Sequence, residues 1–355
     1  MYCLAINVLI YGFTKVNTIE RIGLTPKTKF SIIVPFRNEG QNLPVLLASI
    51  AKLHYPIELF EVILIDDDSA EKFEVAGFKF EVSIVDSIRI STSPKKDAIN
   101  TAIQLVTTDW IVTTDADCNV PNNWLVSLDN YIQTHAVAMI AGAVTYECND
   151  SFLHHFQQLD LASLQGATIG SFGINRGFMC NGANFAYTKS FFQELNGFDG
   201  NSTIASGDDV FLLQKAIAKS PEKVHYLKLS NNINSTKPAK DWKSLFYQRV
   251  RWASKTSAYQ SSFGKALAIM VFAGNLCWLL ILGLWSLGFT CLPTVILTVV
   301  LKFTVDTILI YKTNYFLTQN KIRYLIWSSL FYPFFSVSVA LYSFFWKYEW
   351  KGRKF

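Results

Sequence analysis

Apolar residues fall into short runs early in the chain and long runs late in it. Phe30-Ser31-Ile32-Ile33-Val34-Pro35 is β-branched and ends at proline, which predicts a strand buried on both faces. Phe60 to Ile65 predicts a second strand, followed at once by Asp66-Asp67-Asp68-Ser69. Val82 to Val85 is a shorter third, and Trp110 to Thr114 is a fourth that runs into Asp115-Ala116-Asp117. Amphipathic stretches from Leu43 to Leu53 and from Ala98 to Val106 lie between them. This alternation, over residues 28–237, predicts an α/β domain. In open α/β sheets ligands bind beyond the carboxyl ends of the strands, and both acidic clusters fall at that edge.

The long apolar segments are 266–289, 291–311 and 325–346, each sufficient to cross a bilayer core of about 30 Å. Residues 1–13 are apolar but too short to span at about 1.5 Å per residue. They fit either a partial membrane helix or an interfacial anchor. From Asp241 to Lys265, Trp242, Phe246, Tyr247, Trp252 and Tyr259 alternate with Lys243, Arg249, Arg251 and Lys255, the mixture of an amphipathic interface helix. The expected order is an N-terminal segment (1–27), a catalytic domain (28–237), an interface helix (238–265) and a membrane region (266–355).

Composition strengthens the membrane reading. Only 17% of the 355 residues are charged and 50% are hydrophobic, against about 25% charged in soluble domains. The net charge of +5 suits contact with anionic lipid or phosphate, and no nucleic-acid motif accompanies it. None of the six cysteines forms a C-x-x-C pair, so they are expected as reduced packing residues. No small-residue cleavage site marks a secretory signal.

The candidate chemistry is acidic first. Asp115 and Asp117, two apart at a strand end, can point carboxylates at a hard divalent cation, although such a pair equally suits a solvated turn. Asp66 to Ser69 is a second cluster, which alone could cap a helix. Together, at successive strand ends, they favour a nucleotide-diphosphate site. Gly207-Asp208-Asp209 opens an apolar run, as either a helix cap or a source of a general base. Gln248, Arg251 and Trp252 share one helical face, and Arg249 points elsewhere. A guanidinium there can neutralise a diphosphate and an indole can stack on a sugar, unless the face is an ordinary interfacial one.

In order, these segments resemble the family 2 glycosyltransferases, a group of GT-A fold that includes cellulose, chitin and hyaluronan synthases and ceramide glucosyltransferases. Ile33-Val34-Pro35-Phe36-Arg37-Asn38-Glu39 is similar to their first strand and loop, which implicates Pro35, Arg37 and Glu39 in nucleotide binding. Asp66-Asp67-Asp68-Ser69 resembles their D-D-x-S, whose acids bind nucleobase and ribose. Lys95 to Asn100 is similar to their G-K-x-x-A-L-N, with Pro94 where glycine is usual. The resemblance implies that Asp117, with Asp115, holds Mn2+ or Mg2+ in a D-x-D, and that Asp115 also meets the nucleotide. It implies that Asn181, Gly182 and Asn184 line the acceptor site, and that Asp209 of the Asp208-Asp209 pair is the base. It assigns Gln248, Arg251 and Trp252, as Q-x-x-R-W, to diphosphate and acceptor. It covers roughly residues 28–255.

The expected enzyme therefore inverts a nucleotide sugar, a UDP-sugar foremost, onto a lipid or glycan hydroxyl. A processive polysaccharide synthase is the alternative within the class, disfavoured by few spans. A transporter or channel subunit is the alternative outside it, with Lys302 and Asp306 as the intramembrane ionisable residues to weigh against a mutual ion pair. Such donors are cytosolic, which predicts a multi-pass membrane protein with residues 28–265 cytoplasmic. Lys312, Lys321 and Arg323 then follow the positive-inside rule. Lys347, Lys351, Arg353 and Lys354 ask for an inside tail too, which a plain third span would not give. Pro333 leaves 325–346 open as a kinked span or as a re-entrant element.

Overall fold

The β-branched runs do become the central strands. The computed structural model describes residues 1–17, 23–75, 77–346, 349–350 and 353–354. After helix α1 (Tyr2–Lys15) come β1 (Phe30–Phe36), α2 (Leu43–Ile50), β2 (Phe60–Asp66), β3 (Glu81–Asp86) and α3 (Pro94–Leu105). Then follow β4 (Trp110–Thr113), β5 (Cys118–Asn119), α4 (Trp124–Thr134), β6 (Met139–Gly142), β7 (Val144–Tyr146) and α5 (Phe152–Gly173). The chain continues through β8 (Phe185–Thr188), α6 (Lys189–Glu194), α7 (Asp208–Lys219), β9 (Val224–Leu227) and β10 (Asn234–Thr236). It ends in α8 (Trp242–Ser254), α9 (Ser262–Ser286), α10 (Leu292–Thr318), α11 (Leu325–Phe345) and a small terminal hairpin. Two units result: 17–145 with 179–237, and 1–16 with 146–178 and 238–355. Residues 146–178, inside the expected 28–237 segment, thus belong to the second unit.

The first unit is built on a seven-stranded sheet of order β3-β2-β1-β4-β8-β6-β9. Only β8 runs against its neighbours, pairing antiparallel with β4 and β6. Phe30, Ile32 and Val34 of β1 form one core with α2, where Leu43, Leu46, Leu47 and Ile50 recur at helical spacing and are all buried. Ile33, Ile63 and Ile111 are buried on the opposite face, and α3 lies against β1 and β2. Register aligns the strand ends: Phe36 pairs with Asp66, and Asp66 with Asp86. The chain leaves β1 for β2 on one side and returns to β4 on the other, so the ends of β1, β2 and β4 flank a topological switch point. A smaller sheet of order β5-β10-β7 accompanies it.

The second unit is helical. α9, α10 and α11 are long and apolar enough to cross a membrane. Residues 1–13 form most of α1, which packs on α5 and α10 within this unit. A Cβ on Gly12 would lie 2.0 Å from Gly170 O, and one on Gly173 would lie 1.8 Å from Gly12 O, so the α1–α5 crossing is backbone against backbone. Lys302 and Asp306 form an ion pair at 2.5 Å, and Tyr2 donates to Asp306 at 2.6 Å.

Three expectations change. The interface helix expected to Lys265 ends at Ser254, because Ser254, Thr256 and Ser257 favour local turns and Ser261 caps a new helix from Ser262. Lys312 lies in α10, which runs six residues beyond it, leaving Lys321 and Arg323 in the following loop. α11 is one continuous helix through Pro333, so no break accompanies the proline. Residues 18–22 of the expected N-terminal segment, and Lys347 and Lys351 of the basic tail, lie outside the described residues.

Candidate functional site

The loops after β1 and β2 are tied together by their polar residues. Asn38 and Asp68 both adopt left-handed backbone, at φ 55° and 63°, which Asn and Asp tolerate through local hydrogen bonds. Asn38 N–H donates to Ser69 Oγ at 2.9 Å, and Arg37 donates to Asp67 O and Asp68 Oδ2, each at 2.9 Å. Asp66 is buried, accepting from Ser69 N–H at 2.9 Å and pairing with Lys72 at 3.1 Å. Asp67 is buried too and pairs with Arg89, which sequence reasoning missed. Glu39 accepts from Asn42 at 2.6 Å, and Pro35 is half-buried at the end of β1.

A second group gathers at the other side of the switch point. Lys95, in the first turn of α3, pairs with Asp115 at 2.7 Å and with Asp208 at 3.4 Å. Burial pulls its ammonium down, but Asp115, Asp208 and Asp209 more than compensate and hold it above the ordinary lysine range. Gly207 enters α7 with φ 83°, a conformation that suits glycine, and puts Asp208 and Asp209 in the first turn. Asp209 Oδ2 accepts from Gly182 N–H at 2.8 Å, and Oδ1 from Val210 N–H at 2.7 Å. Thr113 at the end of β4 donates to Gly182 O at 2.7 Å, so β4 fixes this peptide from below. A Cβ on Gly182 would stand 3.2 Å from Asp208 Oδ2 and 3.4 Å from Lys95 Nζ. Glycine keeps that space open. Asn181 Oδ1 accepts from Ala183 N–H at 3.0 Å and shapes the turn.

Asn184 is held by three hydrogen bonds. It is buried, donates to Ala143 O at 2.8 Å and Asn232 O at 2.6 Å, and accepts from Trp124 Nε1 at 3.0 Å. Its amide braces the floor beneath the Gly182 turn. Trp124, Asn232 and Thr113 carry no motif, so their part here was not legible in sequence.

Asp115 and Asp117 are both partly exposed after β4. Among the described residues no group of three or more His, Cys, Asp or Glu is arranged to hold a metal. That donor set fits a cation such as Mg2+, which keeps several waters and takes one or two carboxylates plus substrate phosphates.

In the helical unit, Gln248, Arg251 and Trp252 lie on α8, a regular helix capped by Asp241, which accepts from Ser244 N–H at 2.7 Å. Arg249, expected to point away from Gln248 and Trp252, contacts both. It is buried, pairs with Asp160 of α5 at 2.5 Å, and lies 4.1 Å over the Trp252 ring. Arg251 is half-buried. Asp160 was missed because an isolated acid in an apolar stretch has no spacing to announce it.

The mixed, mostly parallel sheet is that of the GT-A fold. Residues 31–195 match the model of Glycosyl transferase family 2, and the chain is a glycosyltransferase. The mannosyltransferase PcManGT from Pyrobaculum calidifontis, in complex with GDP-Man and Mn2+, matches with TM-score 0.55 and 15% identity over 97% of this chain and 98% of that one. TarS 1-349 of S. aureus with UDP-GlcNAc matches at 0.45 and 14%, over 92% and 96%. Glucosyl-3-phosphoglycerate synthase from Mycobacterium tuberculosis, with phosphoglyceric acid, matches at 0.48 and 14%, over 67% and 86%. No curated protein matches the chain in sequence.

Proposed function

We propose that the protein transfers a sugar, with inversion, from a nucleoside-diphosphate sugar to a hydroxyl of a lipid or lipid-linked acceptor at the cytoplasmic membrane face. The carrying observation is the gathering of Lys95, Asp115, Asp208 and Asp209 about the Gly182 peptide, at the carboxyl edge of the sheet. The mannosyltransferase of like fold was solved with GDP-Man and Mn2+, which supports a nucleotide-sugar donor and a divalent cation here. The three apolar helices found among the described residues support a membrane-borne acceptor.

The loops after β1 and β2 take the nucleotide end, with Pro35, Arg37 and Glu39 at the first. Asp66 and Asp67 act there by holding the loop backbone and Arg89 in place. Asp117, with Asp115, holds the cation, which when bound neutralises charge on the departing diphosphate. Lys95 adds a fixed positive charge beside Asp115. The Gly182 N–H orients Asp209, which takes the proton of the acceptor hydroxyl as its oxygen attacks. Gly182 and Asn181 leave room for that hydroxyl, and Gln248, Arg251 and Trp252 serve diphosphate and acceptor.

The test is release of nucleoside diphosphate from UDP- and GDP-sugars by the detergent-solubilised protein. Asp209→Asn should lower turnover by roughly 10²–10⁴ with nucleotide binding retained, and Asp117→Ala or excess EDTA should abolish it. Activity surviving in Asp209→Asn but lost in Asp208→Asn would reverse the two acids. Full activity in EDTA would remove the cation.

A further inference from the structure

Arg249 occupies a position that the Q-x-x-R-W pattern leaves open, yet it touches both ends of that pattern. Its Nη1 donates to Gln248 Oε1, and its guanidinium lies 4.1 Å over the Trp252 ring. Its Nε donates to Asp160 Oδ2 at 2.5 Å, and Nη1 and Nη2 stand 3.5 Å from Tyr146 Oη. Arg249 and Asp160 are each only 5% exposed. Burial pulls the guanidinium down, but Asp160 and Tyr146 hold it charged.

We propose that Asp160 and Arg249 form a buried positioning pair that sets the Gln248 amide and the Trp252 indole for sugar transfer. The inference rests on the proposed function of α8.

The chemistry explains why an arginine is needed. A planar fork can meet a carboxylate, an amide oxygen and an indole face at once, whereas a lysine offers a point charge to one of them. With Oε1 engaged by Arg249, it is the Gln248 Nε2 that a ligand meets. The indole, covered on one face by the guanidinium, keeps one orientation. Asp160 stands on α5, so the side chains of one helix are oriented from another. A pair kept for stability alone would not require this: two apolar residues of similar volume often replace a buried ion pair without loss of stability.

The experiment therefore replaces both partners. Asp160→Met/Arg249→Met should unfold, in detergent, at or above the wild-type temperature. Its turnover should fall on the order of 10²-fold, the cost of a small misplacement, with the KM for the sugar donor within about threefold. A stable double variant with wild-type turnover overturns the proposal. Arg249→Lys is measured beside it, because it keeps the charge and the Asp160 contact but not the fork. A folded Arg249→Lys with wild-type turnover overturns the proposal even where the double variant does not fold. Asp209→Asn is run in parallel. If both it and Asp208→Asn turn over donor at the wild-type rate, the functional reading has failed, whatever the pair does.

Discussion

Three carboxylates converge on one lysine at the sheet edge before any substrate arrives, and that lysine carries their balance. Lys95 has its folded pKa raised, so its contribution is complete below the unfolded value near 10.5 and is lost only as pH climbs through the folded one. Removing it should hurt equally across the neutral range. Lys95→Met should destabilise the protein by roughly 1.5–3 kcal/mol, by the same amount at each pH from 6 to 9, read as a thermal shift in detergent. A histidine gives the opposite sign. His225 is hydrogen-bonded to Tyr131 at 2.7 Å, and burial pushes its pKa below the ordinary value, with Glu222 O raising it and His135 lowering it further. Its contribution is present above about pH 6.5 and is lost as pH falls through the depressed value. Stability should drop on acidification in the wild type and drop less in His225→Gln.

Elements differ in how far their residues announced them. The strands β1, β2 and β4 were legible because continuous β-branched runs bounded by acids and proline leave little else to form. α5 was not read. Gln157, Gln158, Asp160 and Gln165 are all buried in it, so no polar face separates from an apolar one. The same blindness hid half of the α8 picture: spacing separated Arg249 from Gln248 and Arg251, but only the partner on α5 shows that the other side is the core. The acids of the site were legible and its floor was not, because Asn184 and Trp124 act through tertiary contacts. The α1–α5 crossing gives this scale its prediction. Gly12→Val puts a branched side chain where a Cβ already meets Gly170 O at 2.0 Å. It should cost about 1–3 kcal/mol, the range for overpacking, seen as a lower unfolding temperature, while Gly23→Val, with open space around it, should cost little.

For the whole molecule, the chain passes between its two units at 16/17, 145/146, 178/179 and 237/238, so neither unit is one continuous stretch. The helical unit sets the side on which the chain ends. On the proposed reading, in which 28–265 are cytoplasmic, α9 would lead outward, α10 would return with Lys321 and Arg323 beyond its end, and the unbroken α11 would lead out again. A tag at Phe355 should then resist protease in sealed inside-out vesicles, whereas a site inserted between Gln319 and Tyr324 should be cut. Digestion of the tag would return the segment to the re-entrant form despite its continuous helix. The glycine crossing also bears on biogenesis. α1 is translated before the strands β1 to β7, and α5 only after them, a delay on the order of ten seconds at ordinary synthesis rates. For that interval a short apolar helix exists without the groove that receives it. The α1–α5 crossing cannot form until Gly170 and Gly173 emerge, and the contacts of α1 with α10 form later still.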